Sequence, residues 1–191
     1  MIDDKKMIET YLEDLKKEID NMPIDPVLKI IDLLRKARKE KTTVFTFGNG
    51  GSAALADIMA NAFLKGVMRN SDLGGRPSVR FISLNSNMPI FSSWANDSAY
   101  EDVFSEQLLD LADEGDIAVG ISTSGNSPNV LKGLKVAKDL GLTTCGLTGH
   151  EGGKMKPLCD ICFVFPSDNV ERIEEGHLIA NHLLQWALRK G

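Results

Sequence analysis

The feature that most constrains this chain is a series of short, largely apolar runs that begins at Thr42 and alternates with helical stretches. They are TTVFTF (42–47), VRFISL (79–84), IAVGIS (117–122), TTCGLT (143–148) and ICFVFP (161–166). A strand with one wet face alternates apolar and polar side chains, whereas these runs stay apolar, as strands do when helices cover both faces of a parallel sheet. The expected class is α/β: a three-layer αβα sandwich around a five-stranded parallel sheet. A length of 191 residues suits one domain, and an apolar content of 42% is enough to fill its core.

Two helices precede the first run. Met7, Ile8, Tyr11, Leu12, Leu15, Ile19 and Met22 recur at helical spacing between acids and lysines, and Pro23 closes the segment. Asp25 followed by Pro26 reads as an N-cap with proline at the first helical position of a second helix, carried by Val27, Leu28, Ile30, Ile31 and Leu34. The stripe over 7–22 needs a partner, either the domain's own core or another subunit, and the expectation is a subunit. Residues 1–41 are thus expected to be an oligomerisation region and 42–191 the sandwich, within one domain. The glycine-rich stretch 66–77 reads as a surface loop.

Net charge is −5, from 22 basic and 27 acidic side chains without a Lys/Arg cluster, which excludes a nucleic-acid surface. The N-terminal segment has no apolar signal core, and no apolar stretch reaches the roughly 20 residues of a membrane span, so a cytoplasmic protein without a membrane partner is expected. The three cysteines, Cys145, Cys159 and Cys162, are then expected to be reduced. Cys159 and Cys162 have C-x-x-C spacing, but they lead into a strand rather than a helix and no second ligand pair lies nearby, so they read as small core residues. Trp94 and Trp186 read as core or interface packing, and His150 as a loop residue.

Ligands of parallel α/β sheets gather beyond the carboxyl ends of the strands, so the loops there carry the functional information. After the first run comes Gly48-Asn49-Gly50-Gly51-Ser52-Ala53-Ala54, whose glycines allow close approach of an oxygen-rich ligand while Ser52 caps the next helix. An ordinary tight turn explains the same residues equally well. The segment also satisfies the dinucleotide pattern G-x-G-x-x-G/A, yet the following run ends in Leu84-Asn85-Ser86-Asn87, without the acid that would hold a ribose. After the third run, Ser122-Thr123-Ser124-Gly125-Asn126-Ser127-Pro128 offers four hydroxyls in six residues ahead of a helix. A cap needs one hydroxyl. Four, together with free N–H groups at the positive end of a helix, form a phosphate cradle that needs no lysine.

Taken in order, GNGGSAA, the Ala95-Asn96-Asp97 segment of AND-x-x-Y-x-x-x-F, ISTSGNSPNVL and the closing PSD-x-x-x-RIEE-x-H segment resemble the SIS (sugar isomerase) domain, and within it the phosphoheptose isomerases. The resemblance covers 42 to the C-terminus. It implies a flavodoxin-like sheet topology, a homotetramer with active sites where subunits meet, and ketose-to-aldose isomerisation of sedoheptulose 7-phosphate for surface-polysaccharide synthesis. It places phosphate on Ser122, Thr123, Ser124 and Ser127, with Asn49, Gly50, Gly51, Ser52, Asn96 and Asp97 around the sugar.

The departures lie in the proton-transfer groups. Laying NGGSAA on this chain puts the family's helix histidine on Ile58 and its catalytic glutamate on Ala62, one helical turn apart. The family's glutamine falls on Glu174, its second-loop aspartate on Asn87, and its catalytic histidine is retained as His182. The expected catalytic residues are His182 and Glu174. Asp57 is a further candidate carboxylate, for which a solvated helix position is the simpler account. His177 sits three residues after Glu174, a spacing that can share a metal, but an exposed helical salt bridge is the commoner outcome and the one expected. Some family members bind zinc, but with Ile58 and Ala62 in place no metal or other cofactor is expected here. A catalytically impaired phosphosugar-binding or regulatory protein is the alternative function.

Overall fold

The computed structural model describes residues 3–66 and 79–190. The five apolar runs form strands β1 (Thr43–Gly48), β2 (Arg80–Ser83), β3 (Ile117–Ile121), β4 (Thr143–Thr148) and β5 (Ile161–Val164). They pair in parallel in the order β2-β1-β3-β4-β5. This is the flavodoxin-like order, in which the direction of winding reverses between β1 and β3 and the loops after those strands part to leave a crevice.

The helices are α1 (Asp4–Asp20), α2 (Ile24–Glu40), α3 (Gly51–Asn61), α4 (Met88–Asp97), α5 (Ser105–Leu111), α6 (Pro128–Asp139) and α7 (Val170–Lys190). Because successive side chains of a strand point to opposite faces, the sheet carries a core on each side, and β1 and β3 feed both. Val44, Ile117, Val119, Ile121, Leu147 and Phe163 pack with α2, α3 and α7. Phe45, Phe47 and Ala118 pack with the α4 to α6 layer through Phe104, Leu108, Val130 and Leu134. Small residues set the depth of α6 on the sheet: a Cβ on Gly120 would lie 2.8 Å from Leu134 Cδ1 and 3.0 Å from Val130 Cγ1.

Helix α2 starts at Ile24, earlier than the Asp25–Pro26 pair predicts, so Pro26 sits in its first turn, where a missing N–H costs no hydrogen bond. No residue of α1 is buried, and Met7, Ile8 and Leu12 are each more than half exposed. Leu15 alone of α1 packs on the main core, joined by Met22 just beyond the helix. What holds α1 is Arg172 of α7. Its Nε donates to both carboxylate oxygens of Glu18 at 2.8 and 3.1 Å, its guanidinium lies 3.9 Å from Asp14, and it stacks 5.6 Å from the centre of the Tyr11 ring. Burial and a hydrogen bond to Glu175 push the Tyr11 hydroxyl above its ordinary pKa. Apart from Gly66, which ends a π-helical turn (Ala62–Gly66), the loop expected over 66–77 lies outside the described residues.

Candidate active site

The hydroxyl-rich loop after β3 is held from three sides. Ser122 continues the ladder by donating its N–H to Leu147 O, Gly125 N–H closes a turn on Ser122 O, and Gly149 N–H reaches Thr123 O. Gly125 has φ +64°, the left-handed region that favours glycine, and a Cβ there would fall on the carbonyl of Gly152. Ser127 occupies the N-cap of α6, with Pro128 at the first helical position, yet its hydroxyl makes no cap bond to its own helix. It pairs instead with Ser122 Oγ at 2.9 Å, and Ser122 Oγ lies 3.5 Å from Ser124 Oγ. Three hydroxyls therefore converge at the positive end of a 12-residue helix, a neutral cradle suited to an anion. Thr123 is half-buried beside them.

The β1 loop is bolted to this one. Asn49 and Asn129 exchange a reciprocal pair of amide hydrogen bonds, each 2.8 Å, and the Tyr100 hydroxyl donates to Asn49 Oδ1 at 3.0 Å. Asn85 pairs with Gly48 through both backbone groups, at 3.1 and 2.9 Å, fixing where β1 ends. Asn85, Tyr100 and Asn129 are structural parts of the site that residue-type reasoning passed over. The signal was available for two of them, since Tyr100 and Asn129 fall inside the AND-x-x-Y and ISTSGNSPNVL segments. Gly50, with φ +54°, is the N-cap of α3, so Ser52 is not the cap but a buried residue of the first helical turn.

Between α3 and α7 lies a cavity of about 300 Å³, lined by Gly51, Ser52, Ala54, Leu55 and Ile58 on one side and by Glu171, Glu174, Glu175, His177 and Leu178 on the other. Glu174 reaches across it: a side chain at Gly51 would collide with its carboxylate. That places a negative charge at the N-terminus of α3, where the first N–H groups have no intrahelical acceptor. His177 is only 1% exposed, so the exposed salt bridge expected for it does not form. Its ring donates to the Thr148 backbone carbonyl and stands edge-on to Phe163, and Nε2 has no partner. Burial pulls its pKa down to about 4, so the ring is neutral near pH 7.

Other expected site residues lie elsewhere. Asn96 and Asp97 are exposed at the end of α4 and bonded to each other at 2.7 Å, outside the α3–α7 cavity. Asn87 caps α4, and Asp57 accepts from Ser86 Oγ at 2.7 Å, tying α3 to the β2–α4 loop. His150 sits 3.1 Å from Asp168 on the surface. His182 is exposed on α7 and does not line the cavity that holds Glu174, so within one chain the two expected catalytic groups are not brought together. Trp186, one turn further on, is 63% exposed and so is not a core residue of the single chain.

A five-stranded parallel sheet with glycine- and hydroxyl-rich loops at its switch point defines a doubly wound α/β protein, and residues 9–149 match the family model of the SIS domain. The phosphoheptose isomerase of Helicobacter pylori strain P12 is 39% identical over 186 residues, covering 96% of this chain and 94% of that protein. That of Aliarcobacter butzleri is 41% identical over 174 residues, covering 91% and 89%. Among solved structures, a phosphoheptose isomerase from Francisella tularensis superposes with a TM-score of 0.89 at 25% identity over the full length of both chains. The one from Neisseria gonorrhoeae gives 0.87 at 27% identity, covering 98% and 99%. The chain belongs to the phosphoheptose isomerase family of SIS-domain proteins.

Proposed function

We propose that this protein is a sugar-phosphate isomerase that converts sedoheptulose 7-phosphate to the aldose heptose 7-phosphate, a step that supplies surface-polysaccharide synthesis. The observation that carries the reading is the 39% identity to a phosphoheptose isomerase along almost the whole chain, and the hydroxyl cradle at the start of α6 agrees with it. In this reading Ser122, Thr123, Ser124 and Ser127 hold the phosphate by hydroxyl and helix-end N–H groups, and Asn49 to Ser52 line the path from phosphate to sugar. The sugar's carbonyl end enters the α3–α7 cavity. A base there removes the proton α to the carbonyl and returns it to the neighbouring carbon through an enediol, with no net oxidation.

Glu174 is the carboxylate of this chain best placed to carry that proton, because Gly51 leaves it room at the mouth of the cavity. His182 is exposed, as is Trp186 one turn along, and we assign both to a subunit contact that brings His182 to a neighbour's site. The assembly in this reading is a homotetramer, working in the cytoplasm on a phosphorylated sugar. Zinc is not part of this reading, because Ile58 and Ala62 stand where the resemblance places the family's helix histidine and glutamate.

The test is turnover of sedoheptulose 7-phosphate and exchange of its α-proton in deuterated buffer. Glu174→Gln and His182→Ala should each slow both by about 10²- to 10⁴-fold while leaving inorganic phosphate binding intact. Wild-type protein that binds the sugar phosphate tightly but exchanges no proton would instead be a phosphosugar-binding protein, the reading that Ile58 and Ala62 favour.

A further inference from the structure

Cys159 and Cys162, read from the sequence as small core residues, are only partly buried, with Cys159 packed against the α4 to α6 core. Cys162 in β5 is the register partner of Gly146 in β4, and Cys159 Sγ lies 2.9 Å from where a Cβ on Gly146 would stand. Residues in register share a face of the sheet, so both thiols meet over the gap that this glycine leaves. Cys145, next to Gly146, points to the opposite face and is fully buried. Cys159 and Cys162 are both partly exposed and hydrogen-bonded to each other. That bond, aided by the charge of Lys156, holds the Cys162 thiol below its ordinary pKa, while the same bond and burial push Cys159 up. Cys162 is therefore the more readily ionised of the two.

The segment carrying Cys159 is also the outer wall of the anion cradle. Cys159 N–H donates to Met155 O at 3.1 Å, Met155 N–H donates to Gly125 O at 3.0 Å, and Lys154 N–H donates to Asn126 Oδ1 at 3.1 Å. The Gly152 carbonyl packs against Gly125, at the centre of the loop. Two backbone hydrogen bonds thus link Cys159, through the turn at Met155, to the residue that shapes the cradle.

We propose that Cys159 and Cys162 are a dithiol modification site, and that their oxidation to an intramolecular disulfide loosens the Ser122–Ser127 loop and weakens its hold on phosphate. The inference rests on the phosphate-binding reading of that loop. The oxidant is a low-molecular-weight disulfide, RSSR. The Cys162 thiolate attacks one of its sulfurs, forming a mixed disulfide and releasing RS⁻. Cys159 then gives up its proton and attacks the Cys162 sulfur, forming the protein disulfide and releasing the second RS⁻. Two protein thiols are oxidised, and RSSR is reduced to two RSH. The non-bonded thiol pair shortens to an S–S bond of about 2.05 Å, which draws Cys159 toward β5.

The experiment equilibrates the wild-type protein with oxidised or reduced glutathione, counts free thiols after denaturation, maps the linked peptides and measures inorganic phosphate binding by calorimetry. The expected thiol count falls from three to one, with Cys159 and Cys162 linked. Phosphate affinity falls at least about tenfold, the worth of one charged hydrogen bond, and dithiothreitol restores it. Cys159→Ser should bind phosphate equally under both conditions. A count that stays at three, a disulfide between chains, or a Cys159–Cys162 bond that leaves phosphate affinity unchanged would each overturn the inference alone. Failure of both redox forms to bind phosphate would overturn the anion-loop reading, and this inference with it.

Discussion

At the scale of single residues, the cradle depends on positions where one atom too many is decisive. Gly125→Ala would put a methyl group on the Gly152 carbonyl at φ +64°, so it should lower stability by at least about 1–2 kcal/mol and abolish phosphate binding, read by thermal unfolding and calorimetry. Ser124→Ala with Ser127→Ala leaves the backbone as it is. Each hydroxyl lost should cost about 1.5–3 kcal/mol of sugar-phosphate affinity, and undiminished binding would remove the ligand from this loop. His177 gives a prediction in pH. Its pKa near 4 lies below the ordinary 6.5, so between those values the unfolded chain binds a proton that the folded chain refuses. Stability should rise as pH increases from 4 to 6.5 and level off above, by at most about 3 kcal/mol from this group. Denaturant titrations of the wild type and His177→Gln should differ in that slope; identical slopes would mean the ring is not held neutral.

At the scale of elements, the strands were legible because their apolar runs have the length and continuity that only a doubly covered sheet tolerates, and all five are present. The hydroxyl excess before α6 was legible for a similar reason: a cap uses one hydroxyl, and Ser127 turns even that one into the loop. What could not be read was anything set by side-chain reach across the fold. Nothing local in the sequence tells that Asn85 seals the end of β1, that Glu174 fills the space over Gly51, or that His177 is buried rather than salt-bridged. Ser52 is not the cap because the positive φ of Gly50 starts the helix two residues earlier. The attachment of α1 is of the same kind, since Arg172 and Glu18 are 154 positions apart. Arg172→Ala should free α1 while leaving the sheet intact, so that hydrogen exchange quickens several-fold in 4–20 and stays unchanged in β3 and β4. Protection of α1 in that variant would show that apolar contacts alone secure it.

For the whole molecule, the exposed row of Met7, Ile8 and Leu12 on a helix pinned only along its other edge is the surface most in need of cover. Light scattering at micromolar concentration should report a tetramer, and Leu12→Lys should shift it toward smaller species; a monomeric wild type would deny that His182 reaches a neighbouring site. The strand order has a different consequence, one of timing. β1 is buried along its whole length, and its edge toward β3 stays open until residues 117–121 exist: the Thr43 N–H is held by Asp116, 73 positions later. At synthesis rates of about 5–20 residues per second, roughly 4 to 15 seconds separate the emergence of the two from the ribosome. During that interval the uncharged TVFTF segment has only the four-residue β2 as a strand partner. Slower translation lengthens that exposure, so the nascent chain, more than the finished protein, is where this fold is vulnerable to aggregation and most dependent on chaperones.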